Sequence, residues 1–233
     1  MIAATTRRVE PEWLDELPAD DPRAMRSRRD LQRVNALMDN AGIVAGELRR
    51  AAPFGLAALA EIGAGDGAFA LRVARALAPV GRGAQMTLLD RQAIVAPATT
   101  AGLGRAGWTV HAECGDVFDW LRGIPPGRFD AIVANLFLHH FDGPRLAELL
   151  ALIAVRARCF IACEPRRSRV ALAGSRLLGL VGCNDVTRHD AVASVRAGFA
   201  GAELSVLWPN ADGWILEERR RGLFSHCFVA RKP

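Results

Sequence analysis

Two periodicities divide the chain. Between Pro11 and Arg50 the apolar positions recur at helical spacing, first Leu31, Val34, Leu37 and Met38, then Ile43, Val44 and Leu48. Asp20-Asp21-Pro22 reads as a helix start, with proline in the first turn, where its missing N–H costs nothing. This segment ends in the loop Ala51-Ala52-Pro53-Phe54-Gly55. From Leu56 onward, short and nearly continuous apolar runs alternate with helix-patterned stretches. The strand-like runs are Leu56–Ile62, Gln85–Leu89, Trp108–Ala112, Phe129–Ala134 and Cys159–Cys163. Between them lie helical candidates at Ala68–Leu77, Arg91–Gly102, Phe118–Leu121 and Pro144–Arg156.

Strands apolar on both faces and separated by helices predict a parallel sheet covered on both sides. Right-handed crossovers wind such a sheet doubly. After Glu164 a helical stretch runs to about Leu180, and a second helix lies near Asp190–Gly198. Two last strand patterns, Glu203–Leu207 and His226–Ala230, would form a hairpin that adds an antiparallel edge. The expected organisation is a helical lid over residues 1–52 and one α/β domain over 53–233.

Composition narrows the class. The 233 residues, 51% of them apolar, suit one large domain with a sizeable core. Charged residues or glycine interrupt every apolar run well before the ~18 residues of a membrane span. Met1 to Asp21 turns acidic early, unlike a signal peptide, so the expected compartment is the cytoplasm. The net charge of +5 invites a nucleic-acid partner. Against it, Lys232 is the one lysine among 30 basic residues, and the arginines are scattered, without interleaved aromatics. The clusters Arg26-Ser27-Arg28-Arg29 and Arg219-Arg220-Arg221 read as solvated faces. Five cysteines, with Cys159 and Cys163 inside a strand pattern, lack zinc-ligand spacing and read as free buried thiols, so no metal is expected.

The chemistry concentrates where strands end. Glu61, Gly63, Gly65 and Gly67 form an alternating run that closes the first strand and opens a helix. Glycines there let the backbone turn and approach a ligand, and the helix start offers free N–H groups. The dinucleotide pattern G-x-G-x-x-G would want glycine at position 68, where this chain has Ala68. Asp90, followed by Arg91, ends the second strand 23 residues after Gly67, placed to bind a ribose diol. Gly115-Asp116-Val117 ends the third strand, and the fourth runs into Asn135-Leu136-Phe137-Leu138-His139-His140-Phe141.

With an acid opening the glycine run and these strand ends in order, residues 56–165 resemble the class I S-adenosylmethionine-dependent methyltransferases. The resemblance is to the small-molecule, ubiquinone-biosynthesis-like and polyketide-tailoring type. It implies a Rossmann-like, mostly parallel seven-stranded sheet with an antiparallel C-terminal strand, and S-adenosylmethionine as cofactor. Cofactor contacts would fall to Glu61, Gly63, Gly65, Gly67, Asp90, Arg91, Asp116, Val117 and Asn135, with Asp116 on the adenine amino group and Val117 against the ring. The expected partner is a small-molecule substrate, with O-methylation of an aromatic, quinone-like or polyketide hydroxyl first. Carbon methylation of a similar ring, or cofactor binding without turnover, are the alternatives.

A hydroxyl acceptor must lose its proton, and histidine titrates near neutrality. His139 and His140 lie on the fourth-strand loop; since neighbouring residues should not both face one pocket, His139 is preferred. His189 is the reserve base, in a stretch where Thr187 reads as helix N-cap and Asp190 as its capping-box partner. Glu164, ending the fifth strand, could bond substrate or pair with Arg166 or Arg167. Arg28, Arg33 and Asn35 could face the cofactor or solvent; solvent is preferred for Arg28. A short-chain dehydrogenase would need a Tyr–Lys pair, and this chain has no Tyr. An amino-group nucleic-acid methyltransferase would carry Pro-Pro where Leu136-Phe137 stand.

Overall fold

The computed structural model describes residues 6–18, 20–53, 55–77 and 83–233; the first five residues of the expected lid and Phe54 of its closing loop lie outside them. Helices α1 (Trp13–Glu16), α2 (Pro22–Met38) and α3 (Asn40–Ala51) come first. The Asp21 carboxylate caps α2 by accepting the Arg23 N–H at 2.7 Å. Asp39, in the left-handed conformation (φ 50°), turns the chain between α2 and α3. There follow β1 (Ala58–Ile62), α4 (Ala68–Leu77), β2 (Gln85–Asp90), α5 (Pro97–Arg105), β3 (Thr109–Cys114), α6 (Val117–Gly123) and β4 (Phe129–Asn135). The chain continues through α7 (Gly143–Arg156), β5 (Ala157–Pro165), α8 (Arg169–Arg176), α9 (Asp185–Ala197), α10 (Glu203–Leu207), β6 (Ile215–Arg221) and β7 (Ser225–Arg231).

The seven strands lie in the order β3-β2-β1-β4-β5-β7-β6. Strands β1 to β5 are mutually parallel, and β7 runs antiparallel to both β5 and β6. Each face of the sheet has its own core. On one, Phe69, Ala70, Val73, Ala74 and Leu77 form the buried stripe of α4, packed with Val44, Ala45 and Leu48 of α3. Burying each such valine or leucine contributes roughly 1.5–3 kcal/mol, so α3 is held in the core. The order of winding reverses between β1 and β4, and a crevice opens at their carboxyl ends.

The C-terminal region departs from the sequence pattern. Glu203–Leu207 is helix α10, not a strand. Leu204 and Val206 alternate like strand residues, but Leu204 is buried and Val206 is exposed. The carboxylate of Glu218 accepts the N–H groups of Leu204 and Ser205 and so fixes the helix start. The true hairpin partner of β7 is β6, whose charged residues hide its strand character: Arg219 and Arg221 reach the buried carboxylate of Glu47 on α3, and of the cluster Arg220 alone is a solvated residue. The expected helix Arg91–Gly102 begins only at Pro97, because Asp90 accepts the Gln92 N–H and turns residues 91–96 along the crevice. Of the thiols, Cys159, Cys163 and Cys227 are buried, while Cys114 is exposed.

Candidate active site

The crevice is a cavity of about 920 Å³, within the range of ligand sites. The loop after β1 forms one wall. Gly63 (φ 71°) adopts the left-handed region, and a Cβ there would stand 2.3 Å from the Phe137 ring. Only glycine allows this approach. The loop is tied to β2 by the Ala64 N–H on the Leu89 carbonyl and the Gly65 N–H on the Asp90 carboxylate, 2.9 and 2.8 Å. Gly67 does not line the cavity; a Cβ there would meet Thr99 at 2.9 Å, so its requirement is packing.

Glu61 lines the same wall although it is 2% exposed, and its Oε2 has no hydrogen-bond partner. Burial, reinforced by Asp66 and Asp90, holds its carboxyl well above the usual range. An orphaned acid facing a cavity is expensive unless a cation or donor meets it there. Asp90 and Arg91 follow along the wall, then Asp116 and Val117. Asp116 also caps α6, with one oxygen accepting the N–H groups of Phe118 and Asp119. Asn135 lines the floor, its amide oxygen accepting from Asn40 of α3 at 2.9 Å.

The acceptor end is built by the turn after β4. Leu136 takes a left-handed φ of 52°, which is uncommon for leucine and found where a site fixes the backbone. That turn directs the N–H groups of Phe137 and Leu138 onto one oxygen of Glu164, at 3.0 and 2.9 Å. The other oxygen meets Nδ1 of His139 at 2.8 Å. Glu164 is fully buried, and pairs with neither Arg166 nor Arg167. Nε2 of His139 meets Glu12, 3.2 Å away. His140 lines the cavity as well, its Nδ1 3.3 Å from Asp15. Both neighbouring rings therefore face one pocket, contrary to expectation, because the 3₁₀ turn Leu138–His140 brings their centroids to 4.3 Å.

Residues 59–158 match the family described as Methyltransferase domain. The matched stretch runs from β1 to the start of β5 and holds the acid-led glycine loop, Asp90, Asp116 and the His139–His140 turn, so this part of the chain is similar to methyltransferase domains. Among solved structures, an O-methyltransferase family protein from Burkholderia thailandensis superposes with a TM-score of 0.64 at 18% identity, over 92% of this chain and 61% of that one. The mitomycin 7-O-methyltransferase MmcR gives 0.61 at 21%, over 94% and 60%. The plantazolicin methyltransferase BpumL, in complex with SAH, gives 0.65 at 10%, over 92% of both chains. At these identities the likeness is one of fold, and this chain spans about 60% of the length of the first two. No match was found among curated protein sequences.

An N-terminal strap closes the cavity. Arg7 donates to the carbonyls of Phe141 and Ala197, 2.8 and 2.7 Å. The N–H groups of Trp13 and Leu14 bond the Asp190 carboxylate. Asp190 therefore serves the strap rather than a capping box, and the N-cap of α9 is Asn184, which accepts the Thr187 N–H. His189 does not line the cavity: the face of α9 that carries it turns to α1, and its ring stacks on Trp13 with centroids 3.9 Å apart. Arg28 does line the cavity, bonding Gln92 at 3.0 Å, rather than pointing to solvent, and Asn35 lines it as well. Arg33 lies mostly in solvent beside Asp30. Sequence reasoning missed Glu12 and Asp15, which sit in an acidic stretch with no pattern of their own.

Donor atoms of Glu12, His139 and His140 lie within 4.8 Å of one another, close enough for a metal ion to bridge. In the structure His139 is bonded to Glu12 and Glu164, and His140 pairs with Asp15. Burial opposes the charge on His139, but the bonds to Glu12 and Glu164 prevail and push its pKa up from 6.5 to about 9. A folded-state value above the unfolded one stabilises fully below about pH 6.5, and that stability is lost as pH rises through 9. The shift corresponds to on the order of 3 kcal/mol. Melting temperature should fall between pH 7 and 9.5, and Glu12→Gln should flatten the slope; equal slopes in both proteins would exclude the pair as the cause.

Asp90→Ala should weaken cofactor binding by roughly 1.5–3 kcal/mol, the worth of hydrogen bonds to a charged group. Its strand-end position leaves the core intact. Titration with S-adenosylhomocysteine checks this, and affinity within twofold of wild type would remove Asp90 from the cofactor contacts.

Proposed function

We propose that the chain methylates a hydroxyl of a small aromatic, quinone-like or polyketide-type molecule, with S-adenosylmethionine as donor. The observation that carries this reading is the His139–Glu164 pair, whose imidazole lines the same cavity as the glycine loop and its three acids. The acids suit the cofactor: the unpartnered Glu61 oxygen can take its ammonium, Asp90 its ribose hydroxyls, and Asp116 with Val117 its adenine. When bound, S-adenosylmethionine supplies a methyl group made electrophilic by the sulfonium. The chain's part is to align the acceptor and remove its proton. Glu164 accepts the Nδ1–H of His139, which fixes the tautomer and turns Nε2 toward the cavity. Two backbone N–H groups bond the Glu164 carboxylate, which in turn stabilises the imidazolium formed by proton transfer. The O-methylation named in two structural neighbours agrees with this chemistry.

S-adenosylhomocysteine should raise the melting temperature and NADP should not; at a hundredfold excess over Kd the ligand adds about 2.7 kcal/mol. A shift with NADP alone would overturn the reading. EDTA should leave turnover unchanged. Loss restored by a divalent ion would recast Glu12, His139 and His140 as ligands.

A further inference from the structure

With Nδ1 of His139 committed to Glu164, Nε2 is the ring nitrogen that must receive the acceptor's proton, and Glu12 already holds it. Glu12 is nearly buried, lines the cavity, and accepts a second bond from the Ser194 hydroxyl. The other charged or titratable groups beside His139 are His140 and Asp15, which pair with each other, and Arg7, which donates to the His139 carbonyl at 3.3 Å. An acceptor hydroxyl must come within about 2.6–3.2 Å of Nε2. It then stands beside the Glu12 oxygen, itself 3.2 Å from that nitrogen. A lone hydroxyl would strip Glu12 of its imidazole partner and leave a buried carboxylate short of a donor, which is costly. Two adjacent donors would satisfy both groups, one on Nε2 and one on Glu12.

We propose that the acceptor carries a second hydrogen-bond donor on the carbon next to the methylated hydroxyl, a vicinal dihydroxy or amino-hydroxy arrangement, and that Glu12 binds this donor. The inference rests on the hydroxyl-methylation reading above. In the step, the acceptor O–H bond breaks and its proton passes to Nε2. The oxygen's electron pair forms the bond to the methyl carbon, and the methyl–sulfur pair stays on sulfur. The neighbouring donor keeps its proton, shared with Glu12. While that donor occupies Glu12, the carboxylate no longer holds the proton on Nε2; that proton passes to solvent as the acceptor binds, and the neutral imidazole left behind is the base. The product is a monomethyl ether. It is not methylated again, because its remaining hydroxyl now has an ether for a neighbour.

The test compares 2,3-dihydroxynaphthalene with 2-naphthol on the full chain, by binding in the presence of S-adenosylhomocysteine and by turnover with S-adenosylmethionine. Sites built to bond a substrate hydroxyl reject analogues lacking it by large factors, so the diol should bind and react at least about 100-fold better. Glu12→Ala should bring the two within a few-fold, with its S-adenosylhomocysteine shift intact as proof of folding, and Glu12→Gln should fall between. Equal binding of both probes, no binding of the diol, or a preference that survives Glu12→Ala overturns the proposal. Absence of any S-adenosylhomocysteine shift in the wild type would instead be a failure of the methyltransfer reading.

Discussion

His139→Ala should lower turnover about 10²–10⁴-fold, the usual contribution of a general base, with S-adenosylmethionine affinity nearly intact. The cofactor-side acids lie on β1, on β2 and just after β3, whereas His139 belongs to the turn after β4, so the two functions separate by strand. The loss should shrink at high pH, where a phenolic acceptor ionises unaided. Removing the imidazole also leaves Glu12 and Glu164 without their shared partner. Breaking such a buried pair costs about 3–5 kcal/mol, so folding must be verified by the cofactor-induced melting shift. His140→Ala, which leaves the Glu164 contact in place, should be milder. Equal turnover in the two variants would reject a base at His139 and leave alignment alone as the source of catalysis.

Glu61→Gln should separate stability from binding. In the cofactor-free protein the buried carboxyl, raised by its own burial and by Asp66 and Asp90, is a cost at neutral pH. An acid whose folded pKa exceeds its unfolded value contributes stability below the unfolded value and loses it as pH rises. The amide removes that cost, so the variant should melt higher than wild type at pH 8 and the difference should vanish in acid. The same change removes the partner of the cofactor's ammonium and should weaken S-adenosylmethionine about 10- to 150-fold, or about 1.5–3 kcal/mol. Calorimetry on both proteins checks both arms. A variant that binds as tightly as wild type would place the ammonium elsewhere.

The cofactor wall was legible because its residues are local. Glu61 to Gly67 are contiguous, and Asp90 and Asp116 each close a strand whose apolar run announces it. The acceptor end was legible only in part. His139 sits on a readable strand end, but the groups that decide its state, Glu164 and Glu12, are 25 and 127 residues away. Glu12 lies in a segment whose composition says only that it is acidic. The hairpin's first strand escaped for a related reason. Arg219 and Arg221 read as solvent-facing until Glu47 of α3 is seen to receive both. Strand-like alternation in Glu203–Leu207 misled because a side chain from β6, Glu218, caps that helix from outside it.

Asp39 marks a seam. Beyond it, α3 buries Val44, Ala45 and Leu48, lends Glu47 to β6, and links Asn135 through Asn40 to Ser225. Ahead of it, the strap and α2 rest on α9 through short-range polar contacts and reach the cavity from outside. The two sides of Asp39 are thus held to the molecule by different means. Residues after it are locked into the core, while those before it are fitted over the cavity like a faceplate on the machine behind it.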